Sequence, residues 1–320
     1  MLHSRIRPLP RRHQPIARSS SPSAPRPEFA DAEETPTRPE DLFGAFLPHL
    51  FPDDAPSYHG DPGQHLLYSS PRYGDLEIMV PSYPSQSESR TQEMAAGLLR
   101  TDEGVEQADT LDSCGQMTEN DDVAMWKVKG ERVLELGAGA ALPSVSCALA
   151  GASVIAVTDH PSSPALSGAI RFNTEHNLRA PKIPTSTEVI IQPHEWGALE
   201  NDSWAVQNKG SFTRIIAADC YWMRSQHENL VRTMRWFLAP GGRVWAVTCF
   251  HTGRAIVTGF FETALQMGFE IERIYERDLH SSREDGGEVR RDWVPVREGE
   301  GPENRKRWCV IAVLKKGGEE

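Results

Sequence analysis

The sequence predicts an α/β protein: a mostly parallel sheet covered by helices on both faces and closed by an antiparallel last strand. Three observations lead there. From Trp126 onward, short apolar runs alternate with helix-period segments, the pattern of strands joined by crossover helices. The apolar run at 133–136 stops at Gly137 and Gly139, just before a helix that starts near Leu142. The last two apolar runs, 269–275 and 308–314, are separated by charged residues and no helix, so they should pair antiparallel.

Taken in order, residues 1–37 read as a disordered tail, with six Arg and no acid in the first 27 residues and prolines at 8, 10, 15, 22, 25 and 27. Arg and Ser without acid also suit a transit peptide, but those prolines would break its helix. Residues 38–125 form an N-terminal extension, β-rich and small, followed by a loop. A helix is expected over 42–50, a strand over 75–80 and a helix over 93–99, with 101–122 too acidic and polar to anchor.

The main domain spans 126–320. After the glycine turn a small-residue helix reaches Ala150, and a second strand, 154–158, ends on Asp159. Ser163 and Pro164 suit a helix start, opening a helix to about Asn177. Strands follow at 188–192 and 212–218. Ser225 and Glu228 have capping-box spacing for a helix to Leu238, and Pro240 to Gly242 stops it. A fifth strand at 243–250 and a helix at 254–267 precede the antiparallel pair. The charged stretch 278–307 reads as solvated loop.

Composition narrows the function. Outside the first 27 residues the chain carries 28 basic against 45 acidic residues, a balance of −17. Such a body matches a phosphate backbone poorly, so no nucleic-acid partner is expected. No apolar run reaches the length of a membrane span, and no membrane partner is expected. Five cysteines without Cys-x-x-Cys spacing fit a reduced, cytoplasmic setting and no structural metal.

The glycine turn suits two nucleotide-type cofactors, a dinucleotide and S-adenosylmethionine. The dinucleotide fingerprint wants a third glycine where Leu142 stands. Glu135, a carboxylate two residues before Gly137, makes sense if it bonds the loop or a cationic ligand. Both features favour S-adenosylmethionine; Asp159, suited to ribose hydroxyls, fits either. Each residue also has a plainer reading: a turn serving only the fold, Asp159 capping the segment after His160, and Trp196 and Trp222 as packing aromatics. His194, His227 and His251 match no metal spacing, and His227 should face solvent.

The segments 133–139, Thr158-Asp159, Glu195-Trp196-Gly197, Ala218-Asp219-Cys220-Tyr221-Trp222 and 238–242 together resemble the seven-strand protein lysine methyltransferases, including the fungal N-terminal and lysine methyltransferases of elongation factor 1-alpha. The likeness runs from about Asp41 to Lys316 with one gap. It implies a seven-strand, Rossmann-like class I sheet and S-adenosylmethionine bound by Glu135, Gly137, Gly139, Asp159, Trp196 and Ala218. It also implies a protein amine oriented by Asp219 and walled by Tyr221 and Trp222, with elongation factor 1-alpha the leading partner; separately, a monomer is expected. Two departures stand out. The family's Trp- and His-bearing lid before the turn has no counterpart in residues 90–125, and Ala141 stands where the family commonly has Gly. A small-molecule N-methyltransferase and a lid-less binding protein therefore remain alternative readings, with a dehydrogenase more distant.

Overall fold

The strand expected at 133–136 is Arg132–Leu136, buried from Val133 onward. A run apolar on both faces belongs in the middle of a sheet, because each face must meet a helix. A computed structural model describes residues 6–9, 63–70, 72–82, 125–179, 186–250, 252–282, 288–301, 304 and 307–318. The expected helices at 42–50 and 93–99, the loop at 101–122, the missing lid and His251 lie outside these residues.

Among the described residues the elements are β1 (Ile6–Pro8), β2 (His65–Ser70), β3 (Gly74–Met79), β4 (Arg132–Leu136), α1 (Leu142–Leu149), β5 (Val154–Asp159), α2 (Ala169–Leu178), β6 (Glu188–Pro193), α3 (Ser203–Gln207), β7 (Phe212–Ala218), α4 (His227–Phe237), β8 (Leu238–Cys249), α5 (Arg254–Gln266), β9 (Phe269–Ser282), β10 (Glu288–Arg291) and β11 (Trp308–Lys316). The main sheet runs β10-β9-β11-β8-β7-β4-β5-β6. Strands β4 to β8 are mutually parallel, and β11 lies antiparallel between β8 and β9. The chain winds outward from β4 through β5 to β6, then crosses back to β7 on the other side of β4. That reversal opens a crevice at the carboxyl ends of β4 and β7, where α/β sheets bind ligands.

Two cores sandwich the sheet. Val133, Ile155 and Val157 face α1 and α2 with Val145, Ala148 and Ile170. Leu134, Leu136, Ile215 and Ala217 face α4 and α5 with Leu230, Met234, Phe237, Val257 and Phe260. At the foot of β8, a Cβ on Gly242 would lie 2.8 Å from Leu238 Cδ1 and 3.1 Å from the Thr213 carbonyl, so a bulged start to this strand needs glycine.

Several expectations are corrected. The sheet has eight strands among the described residues, one more than the expected seven, because β10 forms inside the stretch read as solvated loop. Within the tail expected over 1–37, Ile6–Pro8 is a strand paired with β2. Ser163 bonds the Ala165 N–H but starts only an irregular turn, and α2 begins at Ala169. The capping box at Ser225 does not form: a 3-10 turn, Arg224–Gln226, delays α4 to His227.

The hairpin of β2 and β3 docks through two amides on α2. Asn173 accepts the Met79 N–H (2.7 Å) and donates to the Met79 carbonyl (3.0 Å). Asn177 does the same with Glu77, accepting at 3.1 Å and donating at 2.9 Å. Spaced one helical turn apart, the two side chains act as a neighbouring strand for the β3 edge. Asn173, fully buried, also donates to the Ala140 carbonyl at 2.7 Å, which ties the hairpin to the glycine turn. Asn173→Ala strips partners from three backbone groups and should cost about 2–4 kcal/mol. Urea unfolding measures this; Asn177→Ala, on a half-buried position, should cost about half as much.

Candidate functional site

The crevice between β4 and β7 gathers most of the residues singled out in the sequence. After Leu136 the chain turns left-handed at Gly137 (φ 63) and Gly139 (φ 51), and again at Ala141 (φ 56). A left-handed alanine costs about 1 kcal/mol, which accounts for a glycine preference at that position. The turn is held by Ala141 N–H on the Ala138 carbonyl (2.7 Å) and by Asn173 on the Ala140 carbonyl.

Two carboxylates brace this turn from below. Glu135, 1% exposed, accepts the Ser144 N–H at 3.1 Å and the Ser144 hydroxyl on the same oxygen, which anchors the first turn of α1. Burial raises its carboxyl to about 8, although both Ser144 bonds pull the other way. Asp159, at the tip of β5, accepts the Gly139 N–H at 2.9 Å and the His160 N–H at 2.8 Å. Burial raises its carboxyl too, opposed by those bonds. Among the described residues neither forms an ion pair.

Trp196, partly buried, lies over the turn: a Cβ on Gly137 would stand 3.1 Å from Trp196 Cζ2 and 3.1 Å from Cys220 Sγ. Gly137 is therefore fixed by close approach as well as by φ. Gly197 (φ 88), next along, donates to Thr233 Oγ1 at 2.9 Å, and that bond pins the tryptophan loop to α4.

From β7, half-buried Ala218 leads to Asp219, a second non-glycine residue held left-handed (φ 55). Its N–H bonds the Val247 carbonyl at 2.7 Å, and its Oδ1 accepts the Thr248 hydroxyl at 2.6 Å. Strained backbone over-determined by its neighbours clusters at functional sites. Trp222 is partly exposed at this tip.

Tyr221 does not join the site. It is 1% exposed, stacked on Phe260 of α5 with centroids 4.1 Å apart, and its hydroxyl is buried without a hydrogen bond among the described residues. It packs in the core beneath the Asp219 turn, away from the wall that the resemblance gave it. Cys220 is buried as well, its thiol on the Leu136 carbonyl at 2.9 Å. His227, expected in solvent, is 3% exposed and bonds the Tyr221 carbonyl through Nε2 at 2.8 Å. His194 is buried beside Trp204 and Phe237, with Nδ1 3.2 Å from Asp202; burial lowers its pKa.

Sequence reasoning missed Thr248 and Ser144, and placed Asn173 only on the inner face of its helix. Only Ser144 carried a usable signal, as a hydroxyl in the first turn of the helix that follows the glycines.

Known proteins show similarity to part of this chain. A family model described as lysine methyltransferase matches residues 111–266. Protein N-terminal and lysine N-methyltransferases of Eremothecium gossypii and Aspergillus fumigatus are 33% and 31% identical over 156 residues, covering 46% and 47% of this chain and 57% and 59% of theirs. The matched stretch spans less than two thirds of those relatives. Solved structures with similar folds include an S-adenosylmethionine-dependent methyltransferase from Mesorhizobium loti (14% identity, 59% of this chain, 93% of that one, TM-score 0.39) and a TehB-like one from Corynebacterium glutamicum (14%, 68%, 98%, 0.38). Over residues 111–266, just under half of its length, the chain is similar to the lysine methyltransferase family.

Proposed function

We propose that this protein is an S-adenosylmethionine-dependent N-methyltransferase acting on a protein amine, N-terminal or lysine, with elongation factor 1-alpha the leading substrate. One observation carries the reading: two buried carboxylates without a counter-charge among the described residues, Glu135 and Asp159, flank a glycine turn at the switch point of the sheet. Buried acids of that kind call for a cationic ligand rich in hydroxyls. S-adenosylmethionine carries an ammonium, a sulfonium and a ribose, and supplies an electrophilic methyl.

In this reading Glu135 faces the ammonium end, Asp159 the ribose, and Gly137 with Gly139 lets main chain pass close to both. Trp196 covers the adenine side. Asp219 orients the acceptor amine beside Trp222, whose ring face attracts cations. The amine must be neutral to attack: an α-amine, near pKa ~8, yields its proton more readily than a lysine near ~10.4. Among the described residues no helix is long and apolar enough to cross a membrane, and a translation factor as substrate favours a cytoplasmic place of action.

The test is incubation with methyl-labelled S-adenosylmethionine and purified elongation factor 1-alpha, beside a lysate from cells lacking the gene, followed by mass spectrometry. Asp219→Ala should lower kcat about 100-fold while cofactor affinity stays within threefold, because it misplaces the acceptor and not the donor. Labelling confined to small amines would refute a protein substrate.

A further inference from the structure

The charged stretch 278–307 contributes Arg291 and Glu300 to a buried ion cluster centred on Glu276 and Arg254, outside it. Glu276 on β9 is fully buried, and the Arg254 side chain that opens α5 is 8% exposed. Arg254 Nη1 and Nη2 reach Glu276 Oε1 and Oε2 at 2.6 and 3.1 Å, a bidentate pair. The same guanidinium donates to both oxygens of Glu300 at 2.8 Å and to the Val294 carbonyl at 2.8 Å. Arg291 adds bonds of 2.7 Å to Glu276 and 2.7 Å to Glu300. The Arg254 fork lies 4.0 Å over the Phe250 ring, and Trp293 stacks parallel to Phe250 at 5.9 Å.

A buried cluster of this size is poor value for stability, since an apolar core of equal volume would hold the fold as well. What it secures is position. Glu300, the Val294 carbonyl and Trp293 all lie in residues 292–300, and Thr258 bonds the Pro295 carbonyl at 3.0 Å. The first turn of α5 thereby pins this segment at the carboxyl end of β8. Two residues before Phe250, on the same strand end, Thr248 bonds Asp219. Pinned in this way, the segment presents Pro295 and Val296 outward, and Val296 is 77% exposed, more than either of the other exposed large apolar side chains described.

Building on the methyltransferase reading above, we infer that residues 292–300 form the wall that seats the protein acceptor beside Asp219, with Arg254 as the positioning residue and Val296 as the contact. Lysine cannot replace Arg254, because a single ammonium cannot grip Glu276 and Glu300 together while lying flat on Phe250. A small amine needs no such wall, so the effect is specific to a polypeptide acceptor.

The experiment measures methyl transfer from labelled S-adenosylmethionine to purified elongation factor 1-alpha, with cofactor affinity and melting temperature for each variant. Arg254→Lys and Val296→Asp should each raise KM for the acceptor about tenfold, with kcat within twofold and cofactor Kd unchanged. Val296→Ile should behave as wild type. Val296→Asp lies on the surface and preserves the test if Arg254→Lys folds poorly. Wild-type KM in Val296→Asp, or parallel loss of KM and cofactor affinity in both variants, overturns the proposal alone. Cofactor binding by the wild type without any label on elongation factor 1-alpha overturns the acceptor assignment and this inference together.

Discussion

Asp159→Ala should weaken S-adenosylmethionine binding at least 100-fold in titration calorimetry. Two losses combine. Asp159 Oδ2 holds the Gly139 N–H at 2.9 Å in a buried setting, and leaving that donor unpaired costs about 1–3 kcal/mol and loosens the turn the cofactor must lie against. The carboxylate is also the proposed acceptor for the ribose hydroxyls, and hydrogen bonds to a charged group contribute about 1.5–3 kcal/mol. The lower ends of these ranges sum to about 60-fold in affinity and their midpoints to about a thousandfold, at about 1.4 kcal/mol per factor of ten. Asp159→Asn keeps a carbonyl oxygen for Gly139 and discards the charge, so it should fall between, near tenfold. Because Asp159 also braces the fold, the alanine variant should melt lower in the absence of cofactor. Retention of affinity within threefold in Asp159→Ala would move the ribose elsewhere and remove the basis for the site.

The parts of this site that could be read in sequence are those set by local rules. An apolar run ending in two glycines specifies a buried strand and a turn with positive φ, and both are found at Gly137 and Gly139. Asp159 follows from the end of the next strand. At Asp219, the resemblance supplied the residue, but the φ of 55 could not be read, and that turn breaks the alternation of the strand and sends Tyr221 into the core against Phe260. His227 was misread for a similar reason. The 3-10 turn before α4 changes which face the first helical residue presents, and the imidazole turns inward to the Tyr221 carbonyl. The acidic and basic run at 278–307 looks solvated because nothing local reveals that its Glu300 meets Arg254, 46 residues earlier, and its Arg291 meets Glu276, 15 residues earlier. Asn173 and Asn177 show the same limit: their spacing is visible, but the strand they complete lies 94 and 100 residues upstream.

Glu135→Gln should stabilise the free protein at high pH while weakening its hold on the cofactor. Burial raises the Glu135 carboxyl from 4.5 to about 8, so the folded chain keeps a proton that the unfolded chain releases from about pH 4.5 upward. The state that binds more protons is favoured at low pH. Between about pH 4.5 and about 8 this group therefore makes the wild type progressively less stable as pH rises, and above about 8 both states are ionised and the loss is complete. At about 1.4 kcal/mol per unit the full effect is on the order of 5 kcal/mol. Glutamine has no proton to lose, so the variant should melt higher than wild type at pH 9 and close to it at pH 5. An ammonium group arriving beside Glu135 favours the ionised form, so cofactor binding below about pH 8 must expel the proton and should tighten as pH rises. In Glu135→Gln that pH dependence should vanish, and affinity at pH 8.5 should drop at least tenfold. Melting curves at pH 5, 7 and 9, with and without S-adenosylmethionine, read both effects in one series. Identical pH slopes for variant and wild type would mean that Glu135 is ionised in the free fold, and the buried, uncompensated carboxylate on which the cofactor assignment rests would be gone.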